Sequence, residues 1–245
     1  MSYTDLISSS ISTAIAEIIT LPICTIKTNY QTNLNHKSIF NVYNDIKTTR
    51  GFYGFYDASA FAIISQIAST ATKFTFYSYI KKYRNTDQKD IKNNIINGAI
   101  GGSIASVFSH PFDVLKIHKQ TNKPFIQEFK NVGPSLMYRG WSKSLTKNIL
   151  LTSIVFPFYD FYKSKFNNPI IAAGLSASTA TLVIHPIDYL KVRHISNQPL
   201  YPSFGNMSNY FKYYYRGVHV NLMRVVPHFI ITMVITENLK QKFAQ

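Results

Sequence analysis

A single cysteine, Cys24, stands among 245 residues. That excludes a disulfide framework and any zinc site built on cysteines. Acidic residues are also scarce: 11 Asp and Glu face 26 Lys and Arg, for a net charge of +15. Such a balance suits anionic partners, whether nucleic acid, anionic lipid or a small anion. The basic residues are spread along the chain, with no dense Lys/Arg tract and no nucleic-acid-binding motif, so nucleic acid is set aside as a partner. No nucleophile–base constellation, Gly-rich phosphate loop or metal-ligand spacing is visible, so neither an enzyme nor a metal or cofactor is expected. The N-terminus lacks a basic stretch ahead of its first apolar run and does not read as a cleaved signal peptide. Long charge-free runs are few. Only 93–112 and 167–187 lack charge over about the ~20 residues of a bilayer span, and mean hydropathy is −0.04.

What is present is repetition. Pro22-Ile23-Cys24-Thr25-Ile26-Lys27, Pro111-Phe112-Asp113-Val114-Leu115-Lys116 and Pro186-Ile187-Asp188-Tyr189-Leu190-Lys191 follow one pattern, Pro-x-acid-x-x-base, with Cys24 in the first acid position. Each copy ends an apolar segment rich in small residues, which points to an internally repeated membrane protein. A soluble helical bundle is the alternative. Against it, polar residues recur at equivalent places in each repeat, and ionisable groups within a membrane face a cavity or pathway. A bundle around a water-filled cavity has this diluted hydropathy.

Each repeat reads as a long helix, a loop with a short helix, and a second long helix. The long helices are expected near 4–31, 55–83, 91–120, 141–166, 169–196 and 216–243, within repeats at 1–88, 89–166 and 167–245. Small residues suit helix contacts in lipid: Gly98 with Gly102, and Gly174 with Ser178. A second element follows each short helix: Met137-Tyr138-Arg139-Gly140 and Tyr214-Tyr215-Arg216-Gly217, with Phe55-Tyr56-Asp57-Ala58 as a degenerate first copy. A third lies on the second long helices: Tyr159-Asp160-Phe161-Tyr162-Lys163, Thr236-Glu237-Asn238-Leu239-Lys240 and the degenerate Tyr77-Ser78-Tyr79-Ile80-Lys81. His110 and His185 each precede a motif proline and read as a repeated packing position.

These residues together resemble the mitochondrial carrier family, over nearly the whole chain. The resemblance implies an all-α membrane fold of six tilted helices in three pseudo-symmetric repeats with short matrix-side helices, in the mitochondrial inner membrane. It implies alternating access between two gates. A matrix gate is expected from Lys27, Asp113, Lys116, Asp188 and Lys191, with Gln31 and Gln120 as braces. Its pairs are expected to be Asp113 with Lys27 and Asp188 with Lys116, leaving Lys191 without an acid. A cytoplasmic gate is expected from Lys81, Asp160, Lys163, Glu237 and Lys240, pairing Asp160 with Lys240 and Glu237 with Lys81, with Tyr77 and Tyr159 as braces. Substrate contacts are expected on the second long helices at Ser65, Gln66, Lys147, Asn148 and Arg224, with Lys73 inside the same cavity.

Cys24 and Ser78 remove two acids, so the path is expected to be positive and the cargo anionic, because lysines without counter-charges at low dielectric attract anions. Snorkelling of those lysines to headgroups is the alternative. Cargo class is open. Cavity cations suit a nucleotide or deoxynucleotide, and a composition rich in Asn, Ile, Lys and Tyr in a short chain is similar to carriers encoded by giant DNA viruses. Lys147-Asn148 is closer to the basic-plus-polar pair of carboxylate carriers, and phosphate is a further candidate. A non-transporting membrane scaffold is the reading from another class. The resemblance also implies a monomer, with cardiolipin bound near Arg139, Gly140, Arg216 and Gly217.

Overall fold

The computed structural model describes residues 3–84, 91–201 and 207–243. Helices account for nearly all of them: α1 (Tyr3–Thr32), α2 (Ile39–Arg50), α3 (Ser59–Arg84), α4 (Ile91–Gln120), α5 (Phe125–Val132), α6 (Trp141–Phe166), α7 (Pro169–Ile195), α8 (Met207–Tyr214) and α9 (Val218–Phe243). The six long helices hold 26 to 30 residues, or about 39–45 Å at 1.5 Å per residue, enough to cross a bilayer at a tilt. Pro22, Pro111 and Pro186 lie inside α1, α4 and α7.

Local chemistry sets several ends. Ser38 caps α2 by accepting the Asn41 N–H at 3.2 Å. Asn168 caps α7 by accepting from Ile170 and Ile171, and Pro169 opens the helix where its missing N–H costs nothing. α3 begins at Ser59, later than expected, because residues Phe52–Phe55 form a separate 3₁₀ turn. α9 begins at Val218 because Gly217 takes φ +79°, a left-handed geometry that favours glycine.

The long helices contact one another in the closed order α1–α3–α4–α6–α7–α9–α1. This ring is polar within and apolar without. On α1, Ile7, Ile11, Ile15 and Ile18 are exposed, while Ser8, Ser12 and Glu17 are buried. A water-soluble bundle has the opposite arrangement. Among the described residues, three stretches, Leu6–Thr32, Ile170–Ile195 and Asn209–Leu239, are long and apolar enough to cross a membrane. The other long helices each turn charges of their middle turns toward the ring interior, at Lys73, Asp113 and Lys147.

Small residues fill the helix contacts: Ala16, Ala105, Ala172, Ala173 and Ala180 are all but inaccessible. A Cβ on Gly102 would lie 3.9 Å from that of Asn148, so this glycine does sit between α4 and α6. Gly174 does not share that role. A Cβ there would meet nothing within 4 Å, and Ser178 donates back to the Gly174 carbonyl within its own helix. His110 and His185 are repeated tethers. The His110 ring bonds the Arg139 carbonyl at 3.0 Å and the Ser144 hydroxyl at 2.9 Å. That of His185 bonds the Arg216 carbonyl and the Asn221 amide, each at 3.2 Å. Each histidine thus joins the first long helix of its repeat to the start of the second. The first repeat has Leu21 in that place, and it has also lost the Arg-Gly pair the tether would meet.

Candidate functional site: a cationic cavity closed by ion pairs

The ring encloses a cavity of about 270 Å³. Ser65, Gln66 and Lys73 reach it from α3, Lys147 and Asn148 from α6, and Arg224 from α9. All six residues expected to contact substrate therefore line one cavity. Ser65, Lys147 and Arg224 occupy equivalent places, each thirteen residues before the acid position of its repeat. Each also meets a carboxylate of the adjoining first-type helix. Ser65 donates to Asp113 at 2.5 Å, Lys147 to Asp188, and Arg224 to Glu17 at 2.8 Å.

The end of the cavity where α1, α4 and α7 converge is closed by three ion pairs. Lys27 binds Asp188, Lys191 binds Asp113 at 2.7 Å, and Lys116 binds Glu17. This corrects the expected pairing. Each base reaches the acid of the preceding repeat, taken cyclically, and not that of the following one. Lys191 has a partner, and Asp113 pairs with it instead of with Lys27. Asp188 pairs with Lys27 instead of with Lys116. The motif fixes heights along three parallel helices. The hand in which they are arranged decides which neighbour each lysine meets.

Under this pairing Cys24 deprives Lys116 of its acid, and Glu17 supplies one. Glu17 lies seven residues before Cys24, two turns along the same face of α1. Its carboxylate is fully buried and bonds Lys116, Arg224 and Gln66, the last at 3.2 Å. His228 Nδ1 stands 3.7 Å away. From the sequence alone, Glu17 is a charge that interrupts an apolar segment. The signal was its isolation, since it is the one charged residue between 6 and 26.

Among the described residues, six cationic side chains line the cavity: Lys27, Lys73, Lys116, Lys147, Lys191 and Arg224. Three carboxylates answer them, from Glu17, Asp113 and Asp188. Lys73 makes no ion pair among the described residues. Cys24 lines the same cavity and is nearly buried. Of the expected braces, Gln120 donates to the Thr25 hydroxyl at 3.4 Å. The buried Gln31 amide has no hydrogen-bond partner among the described residues. Among the described residues, neither side chain hydrogen-bonds an ion pair of the gate.

On the opposite side, the side chains of Tyr77, Lys81, Asp160 and Lys240 lie outside the described residues, and Glu237 lies on α9. The Lys163 ammonium stands 5.8 Å from the centre of the Tyr159 ring.

The residues expected near lipid have work inside the protein. Arg139 binds Glu128 of α5. The Arg216 guanidinium donates to the carbonyls of Tyr30, Asn33 and His36 and lies 4.1 Å from the centre of the Tyr30 ring. Gly140 and Gly217 take φ of +80° and +79°, and a Cβ on either would come within 3.2 Å of Ile195 or Tyr30. Burial opposes ionisation of Glu128, but hydrogen bonds from Arg139 and His118 outweigh it and hold the carboxyl below its ordinary range.

Comparison with known proteins agrees with this architecture. A family model described as mitochondrial carrier protein matches the chain three times, over 1–88, 87–169 and 165–245. A mitochondrial carrier-like protein of Acanthamoeba polyphaga mimivirus is 41% identical over 245 residues, covering 99% of this chain and 98% of that protein. Mitochondrial brown fat uncoupling protein 1 of Rattus norvegicus is 24% identical over 277 residues, covering 96% of this chain and 90% of its own. Mitochondrial thiamine diphosphate carrier 1 of Arabidopsis thaliana is 23% identical over 257 residues, with 82% and 77% covered.

Proposed function

The chain belongs to the mitochondrial carrier family, and from that premise we propose that it carries a small polyanion, foremost a nucleotide or deoxynucleotide, across the inner membrane by alternating access. The observation that carries this reading is the surplus of three cations in the cavity. A cavity walled by protein focuses such a surplus, concentrates anions and repels cations. Arg224 supplies a planar fork suited to phosphate oxygens, and Lys147 and Lys73 add point charges. In the state described, the three ion pairs close the end assigned to the matrix, and cargo enters from the cytoplasmic side. An arriving anion then competes with Glu17 and Asp188 for the cations they hold.

The relative in a mimivirus supports the further reading that this is a virus-encoded carrier acting in the host mitochondrion. A relative named for thiamine diphosphate is in keeping with phosphorylated cargo. One chain closes the ring by itself, which supports a monomer. Lipid phosphate, cardiolipin foremost, meets the backbone N–H groups at the starts of α6 and α9, since the arginines beside them are engaged elsewhere. A second reading, carboxylate or phosphate exchange, is favoured by the adjacent ammonium and amide of Lys147 and Asn148, which suit a single carboxylate.

The test is uptake of labelled dATP by liposomes containing the protein, against nucleotides, phosphate and dicarboxylates, with Arg224→Ala alongside. Nucleotide uptake lost in that variant supports the first reading. Uptake of carboxylate or phosphate alone moves the protein to the second. A folded protein that takes up no anion, and shows no ligand-dependent thermal shift, is a non-transporting scaffold.

A further inference from the structure

In the second and third repeats, the acid that closes the gate stands at the motif position, and the second long helix of the preceding repeat touches it from the side. Asp113 holds Lys191 and the Ser65 hydroxyl, and Asp188 holds Lys27 and Lys147. The first repeat is built differently. Its motif position is Cys24, and its acid, Glu17, has moved two turns along α1, or about 10 Å. There it bonds Arg224 with one oxygen and Lys116 with the other. Gln66 donates to it as well. These partners come from α9, α4 and α3, and all three line the cavity.

We infer that Glu17 is the displaced gate acid of the first repeat and a tethered competitor of the cargo, so that an anion opens this gate by replacing Glu17 at Arg224. This rests on the reading of the chain as an anion carrier. The carboxylate of Glu17 offers Arg224 the same chemistry as a cargo carboxylate or phosphate: anionic oxygens in charge-assisted hydrogen bonds. Cargo cannot take those donors while Glu17 holds them. Once displaced, Glu17 loses one of its two cationic partners, and the anion now stands beside Lys116, which weakens the remaining pair. Binding and release of the first-repeat gate thus become one event. Cargo too small or too weakly charged to displace Glu17 leaves the gate shut, which makes Glu17 a specificity-determining residue for the charge of the cargo.

The single cysteine makes a test direct. Cys24 is 5% exposed and lines the cavity beside this gate, so its alkylation rate, followed across pH to the plateau where the thiol is fully ionised so that access is separated from thiolate fraction, reports opening without reference to any substrate. Glu17→Gln keeps the shape and removes the competing charge. Two changes are expected: Cys24 is alkylated about tenfold faster, and KM for the transported anion falls about tenfold, the equivalent of one charge-assisted hydrogen bond. Moving the acid to the motif position, in Glu17→Gln with Cys24→Glu, should return thermal stability toward wild type while KM stays low. Glu17→Asp, which keeps the charge on a shorter arm, serves if the neutral variant does not fold, and should show the same directions at smaller size. Unchanged alkylation in a folded variant overturns the gate role. An unchanged or raised KM overturns the competition. If wild-type protein takes up no anion while alkylation still accelerates in Glu17→Gln, the anion-carrier reading fails and the displaced gate stands.

Discussion

Lys27 and Asp188 form an ion pair that ties the first repeat to the third. The second Asp188 oxygen accepts from Lys147, so a single carboxylate holds one ammonium of the gate and one of the cavity wall. Asp113 holds one lysine and a neutral hydroxyl. The three interfaces between repeats are therefore closed by pairs of unequal weight.

Unequal pairs should cost unequal amounts to break. The side chain of Asp188 is 6% exposed and that of Asp113 25%. Removing one partner of a buried pair strands the other charge and costs about 3–5 kcal/mol. Asp188→Asn strands two lysines and should reach that range, while Asp113→Asn falls below it. Thermal unfolding of both variants in detergent measures the order. Equal shifts would mean that Lys147 contributes nothing to the gate.

The direction of pairing can be read from charge reversals. Asp113→Lys with Lys191→Asp inverts a pair that touches in the structure, and should recover part of the uptake lost in either single variant. Asp113→Lys with Lys27→Asp joins residues from the pairing expected from sequence, and should recover nothing. Residues in one ion pair couple by about 0.5–3 kcal/mol, and residues without shared partners do so within a few tenths. Uptake by liposomes of all five proteins checks this.

These two variants mark where the sequence stopped being legible. Heights along a helix are readable, because rise per residue is fixed. The positions that the resemblance implies for substrate contact, Ser65, Lys147 and Arg224, do stand at equivalent heights and reach one cavity, and α4 and α6 run over the expected 91–120 and 141–166. Lateral relations are not readable from spacing. Lys116 stands at the same height relative to the motif positions on either side, Cys24 of α1 and Asp188 of α7, and only the hand of the ring turns it toward α1 instead of α7. Glu17 was hidden for a related reason. An acid in an apolar run has no visible purpose until Lys116 of α4 and Arg224 of α9 are brought against it.

Two glycines should respond in opposite directions to alanine. Gly140 takes φ +80° and ψ 9°, with Ile195 at 3.2 Å and His194 at 3.5 Å from an added Cβ. Gly174 lies inside α7 with nothing within 4 Å of an added Cβ. Alanine at Gly140 is held in a left-handed conformation at about 1–2 kcal/mol, and a neighbour must also give way, which adds about 1–3 kcal/mol. Alanine at Gly174 keeps an ordinary helical backbone and should gain about 0.5–1 kcal/mol. Gly140→Ala should therefore unfold at a lower temperature than wild type, and Gly174→Ala at an equal or higher one. A Gly140→Ala protein that unfolds with wild type would show that α7 yields to the extra methyl without cost.

Glu128 should make the α5 attachment sensitive to acid. Its carboxylate accepts from Arg139 and from His118 Nε2 at 3.0 Å, joining α5 to α4 and to the start of α6. Burial opposes its charge, but these donors prevail and lower its pKa on folding. The sign follows. A carboxyl that binds its proton less readily when folded stabilises the fold where it is ionised in both states. That contribution is complete above the ordinary glutamate value of 4.5 and is lost as pH falls through the lower folded value. Glu128→Gln should therefore unfold at a lower temperature than wild type near neutral pH. The gap should narrow in buffers below about pH 4.5, where wild type begins to lose what the variant lacks. With side chains 20% and 15% exposed for Glu128 and Arg139, the pair is partly screened by water, and raised salt should shrink the gap at neutral pH as well. A gap that is constant across the titration would mean that the glutamate serves through its shape alone, with its charge contributing nothing to how α5 is held.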